Sequence, residues 1–320
     1  MPLTVAVQMD PLEGINISGD STFALMLMAQ ERGHQLYHYL ADALTYQDGR
    51  LYAGAHRVSV QAVAGSHFSL GDFTVLDLGR DVDVVLMRQD PPFDLGYITA
   101  THLLERIQAE TLVVNDPAAV RNAPEKVWVL DFAQYMPPTM ITRSLGAARE
   151  FAAKHGEVVI KPLHGNAGKA VFKVGRDGGN LAPLMELFNA TYREPHVVQA
   201  FLPEVAQGDK RIVLVEGEVA GAINRRPAKG DIRSNLAAGG TAEPTELTDD
   251  ERAICAALGP ELKRRGLLFV GIDIIGGRWL TEINVTSPTG IVAIDRFSGT
   301  DTPGLIWDAI EARLAMRTAA

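Results

Sequence analysis

The stretch Gly271-Ile272-Asp273-Ile274-Ile275-Gly276-Gly277-Arg278-Trp279-Leu280-Thr281-Glu282-Ile283-Asn284 constrains the fold more than any other part of the chain. Two apolar runs rich in isoleucine flank a Gly-Gly pair, which is the pattern of an antiparallel hairpin with a tight turn. Cross-strand neighbours in such a hairpin lie within side-chain reach, so Asp273 on the first strand converges with Glu282 and Asn284 at the end of the second. For Asp273 alone, a solvent-facing polar side of the hairpin is an equal alternative. Two carboxylates and an amide oxygen inside otherwise apolar strands favour a bound cation, because buried charge is costly unless it is paired or coordinated. Hard oxygen donors in small number suit Mg²⁺, which keeps waters and shares substrate phosphates.

The hairpin sits in a region whose short Val- and Ile-rich segments read as antiparallel strands with helices alongside. They are Val158–Lys161, Ala170–Val174, Val197–Leu202, Ile212–Val215, Val219–Ile223, Phe269–Ile275 and Trp279–Ile283. After Asn122 a helix is expected, then a break at Pro137-Pro138. The first third reads differently. Strands at Val5–Met9, Gln35–Leu40, Val82–Met87 and Thr111–Asn115 alternate with helical segments such as Ser21–Arg32, which Gly33 ends, and this predicts parallel strands joined by crossover helices. Ala43–Val63 reads as a hairpin turned at Asp48-Gly49. The expected division is an open α/β domain over residues 1–122 and an α+β region over 123–320, itself split into a lid lobe (123–200) and a C-terminal lobe carrying the metal site (201–320). Two loops lack periodicity: Leu163–Lys169, with its glycines, and Pro227–Gly240.

With 320 residues, 47% of them hydrophobic, the chain is long enough for two or three lobes with separate cores. A net charge of −9 argues against a nucleic-acid partner or an anionic membrane, so cations for anion binding must be placed locally. The single cysteine, Cys255, excludes a disulfide framework and is expected to pack as a core thiol in an alanine-rich helix. The N-terminal residues show no basic segment or cleavage pattern, and no apolar run reaches the length of a membrane span, so a cytoplasmic location is expected.

The cations gather at strand ends: Lys126, Lys161, Lys210 with Arg211, Arg225 and Arg233. Lys161 closes a Val-Val-Ile strand that leads into the loop Gly165-Asn166-Ala167-Gly168-Lys169. Backbone N–H groups of such a loop can approach a phosphate while the lysine supplies point charge. A simple turn is the alternative for the loop taken alone. It is not a Walker P-loop, because Gly168-Lys169 is followed by Ala170 and a strand. No Ser-His-Asp pattern is present, the histidines lack metal-ligand spacing, and His164 is expected to be a loop residue and not a base.

Several runs in this order resemble bacterial (prokaryotic-type) glutathione synthetase, of the ATP-grasp superfamily. They are Asp10-Pro11, Ile15-Asn16-Ile17, Asp20-Ser21-Thr22-Phe23-Ala24, Leu86-Met87-Arg88-Gln89-Asp90-Pro91-Pro92-Phe93-Asp94, Gly208-Asp209-Lys210-Arg211, Asn235–Gly240 and Thr281–Pro288. The resemblance runs from about residue 4 to about residue 315. It implies an ATP-grasp fold, two α+β lobes clasping ATP behind an N-terminal α/β domain. It also implies that Lys126, Lys161, Gly165, Gly168 and Lys210 contact the nucleotide, and that Arg211 and Asp273 line the phosphate and metal site. Asp273, Glu282 and Asn284 would hold Mg²⁺ or Mn²⁺. Arg225 and the Arg233–Gly240 loop, with Asn235 and Gly239, would close over the reacting carboxylate, and Arg88, Asp90 and Ser287 would bind the peptide substrate. Ser18-Gly19 stands where many relatives carry lysines, and the glycine loop has fewer glycines than is common among them.

The reaction so implied is ATP-dependent joining of γ-glutamylcysteine to glycine through an acylphosphate. Another ATP-grasp carboxylate–amine ligase, of the D-alanine–D-alanine or glutamate-ligase type, is the rival within enzymes, and the Arg88-Gln89-Asp90-Pro91-Pro92 segment favours the glutathione branch. A non-catalytic ATP-binding protein of the synapsin type is the rival outside enzymes, opposed by the intact Asp273, Glu282 and Asn284. Partners would be small molecules and further copies of the chain, a homotetramer by resemblance.

Overall fold

In the computed structural model, which describes residues 2–319, the strands of the described residues gather into three sheets. The first contains β1 (Thr4–Gln8), β2 (Gln35–Tyr39), β3 (Leu44–Gln47), β4 (Arg50–Val60), β5 (Phe68–Asp77), β6 (Val84–Met87) and β7 (Leu112–Val114). Strands β2, β1, β6 and β7 run parallel in that spatial order. Their near-continuous apolar runs are what a sheet covered on both faces requires. Helices α1 (Ser21–Glu31), α2 (Leu95–Glu105) and α3 (Pro117–Arg121) start at Asp20, Asp94 and Asp116, whose carboxylates accept the N–H of the residue three positions on.

The expected hairpin is formed by β3 and β4, with positive φ at both Asp48 and Gly49, as a two-residue turn of this hand needs. Strand β5 is an addition to the expected parallel strands and hairpin: it pairs antiparallel with β4, which also pairs antiparallel with β2. Its Gly71 and Asp72 disfavour strand, and most of its first half is exposed, so cross-strand pairing and not burial makes it a strand.

The second sheet has the order β10 (Phe172–Val174), β9 (Val158–Pro162), β11 (His196–Ala200), β8 (Thr139–Thr142), antiparallel throughout. Helices α4 (Leu145–His155) and α5 (Leu181–Thr191) cover it, and Phe151, Ile160, Met185, Phe188 and Val198 form a core of its own. The helix expected after Asn122 is a 3₁₀ stretch, Trp128–Tyr135, broken at Phe132.

The third sheet, also antiparallel, has the order β14 (Thr241–Glu243), β13 (Glu218–Arg226), β12 (Asp209–Val215), β15 (Phe269–Ile275), β16 (Trp279–Asn284). Helix α6 (Asp249–Arg264) begins with a capping box between Thr248 and Glu251 and buries Cys255, whose thiol burial pushes up to about 12. Helices α7 (Ile291–Ser298) and α8 (Thr302–Ala319) complete the chain. Unlike the second sheet, the third shares its core with the first: Val5, Phe23, Val213, Trp307 and Ile310 belong to one apolar cluster. Asn115 at the end of β7 also accepts from the Phe269 N–H (2.8 Å) and donates to the Phe269 (2.6 Å) and Val285 (2.9 Å) carbonyls. One body therefore comprises the outer two sheets, the middle sheet is cored separately, and the cleft between them is bordered by β9 and β16.

Candidate active site

Register places the three oxygen-bearing residues together. Asp273 on β15 pairs directly with Glu282 on β16, and Asn284, two residues on and hence on the same face, pairs with Gly271. The Asn284 Nδ2 lies 3.4 Å from Asp273 Oδ2 and 3.2 Å from the Gly271 carbonyl. Gly271 matters here, since a Cβ would come within 3.1 Å of the Arg211 side chain that lies across it.

Each carboxylate is matched by cations from elsewhere. Arg211 on β12 grips Asp273 with two contacts, Nε–Oδ1 at 2.6 Å and Nη2–Oδ2 at 3.1 Å. Arg225 on β13 reaches Asp273 Oδ1 at 2.9 Å and Asp209 Oδ1 at 2.6 Å, and Ser234 Oγ donates to the other oxygen of Asp209. Burial alone would raise Asp273, but the two guanidiniums outweigh it and hold the carboxyl well below the usual range. Burial dominates at Asp209, which is raised. Glu282 accepts from Lys161 Nζ at 3.2 Å and stands 3.5 Å from Lys126 Nζ. Burial opposes its ionisation, yet the two ammoniums lower it. Lys126, which also donates to the Gly165 carbonyl, is raised by Glu282 and Glu125 against the effect of burial, whereas burial lowers Lys161.

Two cavities flank Glu282. The first, about 110 Å³, lies between the lobes and is lined by Lys126, Lys161, the loop Gly165–Lys169 and the segment Gln199–Leu202. The second, about 210 Å³, is lined by Arg211, Arg225, Asn284, Glu125, Asp90 and Ser287, among others. Glu282, Asn166, Ala167 and Asn235 line both. The wall between the cavities is thus built by β16 and by the two loops that lacked periodicity. Those loops meet: a Cβ on Gly168, where φ is +72°, would stand 2.6 Å from Asn235 Oδ1. Gly239 ends a 3₁₀ turn at φ +93° in the second loop.

Not every residue singled out faces a cavity. Lys210 neighbours Arg211 on β12 and therefore points to the opposite face, where Nζ pairs with the buried Glu251 at 2.6 Å. Arg88 is buried, donating to Thr22 Oγ1 (3.0 Å) and the Pro288 carbonyl (2.8 Å), and it stacks over Phe269. It braces the Thr286–Thr289 turn while its neighbour Asp90 lines the second cavity. Ser287 Oγ donates to the Arg88 carbonyl at 3.3 Å. The Arg233 guanidinium is held by Asp231 at 2.7 Å at the rim of the first cavity. Ser18 is exposed and hydrogen-bonds Asn16. His164 rests against Phe93, with ring centroids 5.8 Å apart, and burial lowers its imidazole. Sequence reasoning missed Gln199–Leu202, which carries no charge to mark it, and Glu125, whose adjacency to Lys126 was the available signal.

Among the described residues no three His, Cys, Asp or Glu side chains gather as a metal cluster. The donor set is two carboxylates and an amide, which fits a hard cation that also takes phosphate oxygens. Asn284 presents its Nδ2 to Asp273, and rotation of the amide presents its oxygen instead.

The family models of prokaryotic glutathione synthetase match this chain in two parts, the N-terminal domain over residues 3–121 and the ATP-grasp domain over residues 125–299. The chain belongs to the prokaryotic glutathione synthetase family. It is 57% identical over 315 residues to the glutathione synthetase of Rhodopseudomonas palustris, covering 98% of this chain and 100% of the relative. It is 53% identical over 309 residues to that of Agrobacterium fabrum, covering 97% and 96%. The same ATP-grasp fold is found in D-cycloserine synthetase DcsG (TM-score 0.69, 19% identity, 97% of this chain and 99% of that one). It is found again in the ATP-grasp ligase PsnB (TM-score 0.63, 20% identity, 97% and 99%). Membership makes this synthetase an ATP-dependent C–N ligase.

Proposed function

We propose that this synthetase joins the cysteinyl carboxylate of γ-glutamylcysteine to the amine of glycine, with cleavage of ATP to ADP and phosphate. The observation that carries the reading is the position of Glu282 on the wall between two cavities, with Lys126 and Lys161 on one side and Arg211 and Arg225 on the other. ATP occupies the first cavity, its phosphates toward Lys126, Lys161 and the Gly165–Gly168 backbone. The apolar side chains of Val159, Phe201 and Leu202 there suit a flat base. The dipeptide carboxylate occupies the second cavity beside Arg211 and Arg225, near Asn235 and Gly239, with Asp90 and Ser287 at its far end.

A carboxylate is a poor electrophile, so its oxygen first attacks the terminal phosphorus of ATP; the bond to ADP breaks and an acylphosphate forms. The amine nitrogen then attacks the acyl carbon, the C–O bond to phosphate breaks, the amide forms, and the nitrogen's surplus protons pass to water. Catalysis is mainly positioning and charge stabilisation. Asp273, Glu282 and Asn284 would hold Mg²⁺ or Mn²⁺, which when bound neutralises charge on the transferring phosphoryl group. The ionised Asp273 fixes Arg211 and Arg225 on the lining of the second cavity, and the Thr289 carbonyl holds Arg211 from a further side. The Gly165–Lys169 and Pro227–Gly240 loops exclude water from the acylphosphate, with Arg233 at the rim. Lys210 serves the site by neutralising Glu251 behind β12.

We also propose a domain division near residue 122, a cytoplasmic location and assembly into a homo-oligomer, a tetramer by family resemblance. No helix among the described residues is long and apolar enough to cross a membrane. Release of ADP measured with γ-glutamylcysteine and glycine tests the reading. Turnover that needs both supports it, and turnover with D-alanine alone would assign the chain to another ligase class.

A further inference from the structure

The second cavity contains a carboxylate that the reaction so far leaves without work. Glu282 is faced by Lys126 and Lys161, Asp273 by Arg211 and Arg225, and Asp209 by Arg225. Two carboxylates on this cavity differ: Asp90, at its far end beside Ser287, and Glu125. Among the described residues the Glu125 side chain forms no ion pair, and its hydrogen bond is from Thr286 Oγ1 to Oε1 at 3.0 Å. Its backbone is fixed, because its carbonyl accepts from the Ile283 N–H, between Glu282 and Asn284, at 3.3 Å. Thr286 and the β16 backbone thus fix this carboxylate beside the reacting centre, on a surface of the second cavity that also borders a smaller pocket beneath Pro91, Phe93 and His164.

At Glu125 burial outweighs the charges of Lys126 and Arg211, which bond to other groups, so its ionised form is favoured when a ligand supplies a further positive charge. Within the second cavity Arg211 and Arg225 already provide for the anionic group that becomes phosphorylated. Asp90 at the far end can meet the dipeptide's own ammonium, and the cavity must also receive the nucleophile, an amino acid that arrives as an ammonium and loses a proton to water before it attacks. We propose that Glu125 is the recognition residue for the ammonium group of the incoming amino acid, holding it next to the acyl carbon while Thr286 fixes the orientation of the carboxylate. The inference rests on the ligase reading given above and adds to it the residue that selects the second substrate.

The test uses the intact enzyme with Glu125→Gln and Glu125→Asp, each checked by thermal melting, and compares two nucleophiles. Glycine is an ammonium ion at neutral pH, whereas hydroxylamine is largely uncharged and traps an acylphosphate as the hydroxamate. Loss of a charge-assisted hydrogen bond predicts that Glu125→Gln raises KM for glycine about 10- to 100-fold. KM for ATP and for γ-glutamylcysteine stays within about twofold of the parent, below the size of any single contact. Hydroxamate formation continues at the parent rate, and Glu125→Asp recovers part of the glycine affinity. An unchanged KM for glycine in Glu125→Gln overturns the inference while leaving the ligase reading intact. So does an equal loss with glycine and hydroxylamine, because that pattern belongs to a residue that merely positions Lys126. A parent enzyme that forms hydroxamate but never uses glycine overturns the inference and the choice of glycine as second substrate, and one that forms neither product overturns the whole ligase reading.

Discussion

Asp273 and Glu282 stand directly opposite each other across an antiparallel strand pair, and each is neutralised by a separate pair of cations. Arg211 and Arg225 come from β12 and β13 of the same sheet, Lys161 from β9 of the middle sheet, and Lys126 from the stretch between α3 and the 3₁₀ turn at Trp128. The contact between Lys161 and Glu282 therefore spans the cleft.

Replacing Glu282 with Gln keeps its shape and removes the charge that holds Lys126 and Lys161. Turnover is expected to fall about 100-fold or more, the scale for a group that organises transition-state charge. The concentration of divalent cation needed for half-maximal rate should rise. Titration of metal against ADP release checks this, and an unaltered curve would reject Glu282 as a ligand.

Arg225 lies between two buried carboxylates, so Arg225→Met leaves Asp209 uncompensated and Asp273 half-compensated. Destabilisation of about 3–5 kcal/mol is expected, the range for removing one partner of a buried pair. Adding Asp209→Asn should recover part of it. Urea unfolding of the single and double variants measures the coupling.

Arg233 contrasts with Arg225. Its side chain is 39% exposed and pairs locally with Asp231, so Arg233→Ala should leave stability essentially unchanged. The rate of ligation should nevertheless fall, because the loop loses its cation at the cavity rim. A melting curve and a steady-state rate on the same preparation separate the two effects, and unchanged turnover counts against a role in closure.

Acid stability follows from Asp273. Its folded-state carboxyl titrates below the ordinary 3.8, so the unfolded chain binds the extra proton first as pH falls. The stabilisation from Asp273 is complete above that ordinary value and is lost as pH drops below it toward the depressed one. Asp273→Asn should be less stable at neutral pH and show a shallower decline through that acid window. Equal acid slopes for parent and variant would contradict the assignment.

The hairpin was legible because Asp273, Glu282 and Asn284 interrupt apolar strands at positions that only a Gly-Gly turn can bring together. The pairing of Asp273 with Glu282 also needs a three-residue turn, Gly276–Arg278, and a register shift at Thr281, neither of which the sequence marks. Lys210 was not resolvable in the same way. Adjacent cations on a strand face opposite sides, and which one meets the site depends on the partner strand, β15, that pairs Arg211 with Asp273. Strand β5 was hidden because its side chains do not alternate in burial. In the glycine loop, Ala167 adopts φ +53°, a conformation that favours glycine and costs an alanine about 1 kcal/mol of backbone strain. Glu125 escaped notice because a carboxylate beside a lysine looks like a local pair, while the fold turns that lysine toward Glu282.

The acylphosphate is the central claim, and isotope transfer tests it most directly. With ¹⁸O in the cysteinyl carboxylate of γ-glutamylcysteine, mass spectrometry of the products should find one labelled oxygen in the released phosphate for each molecule of tripeptide formed. Tripeptide formed with unlabelled phosphate would contradict it.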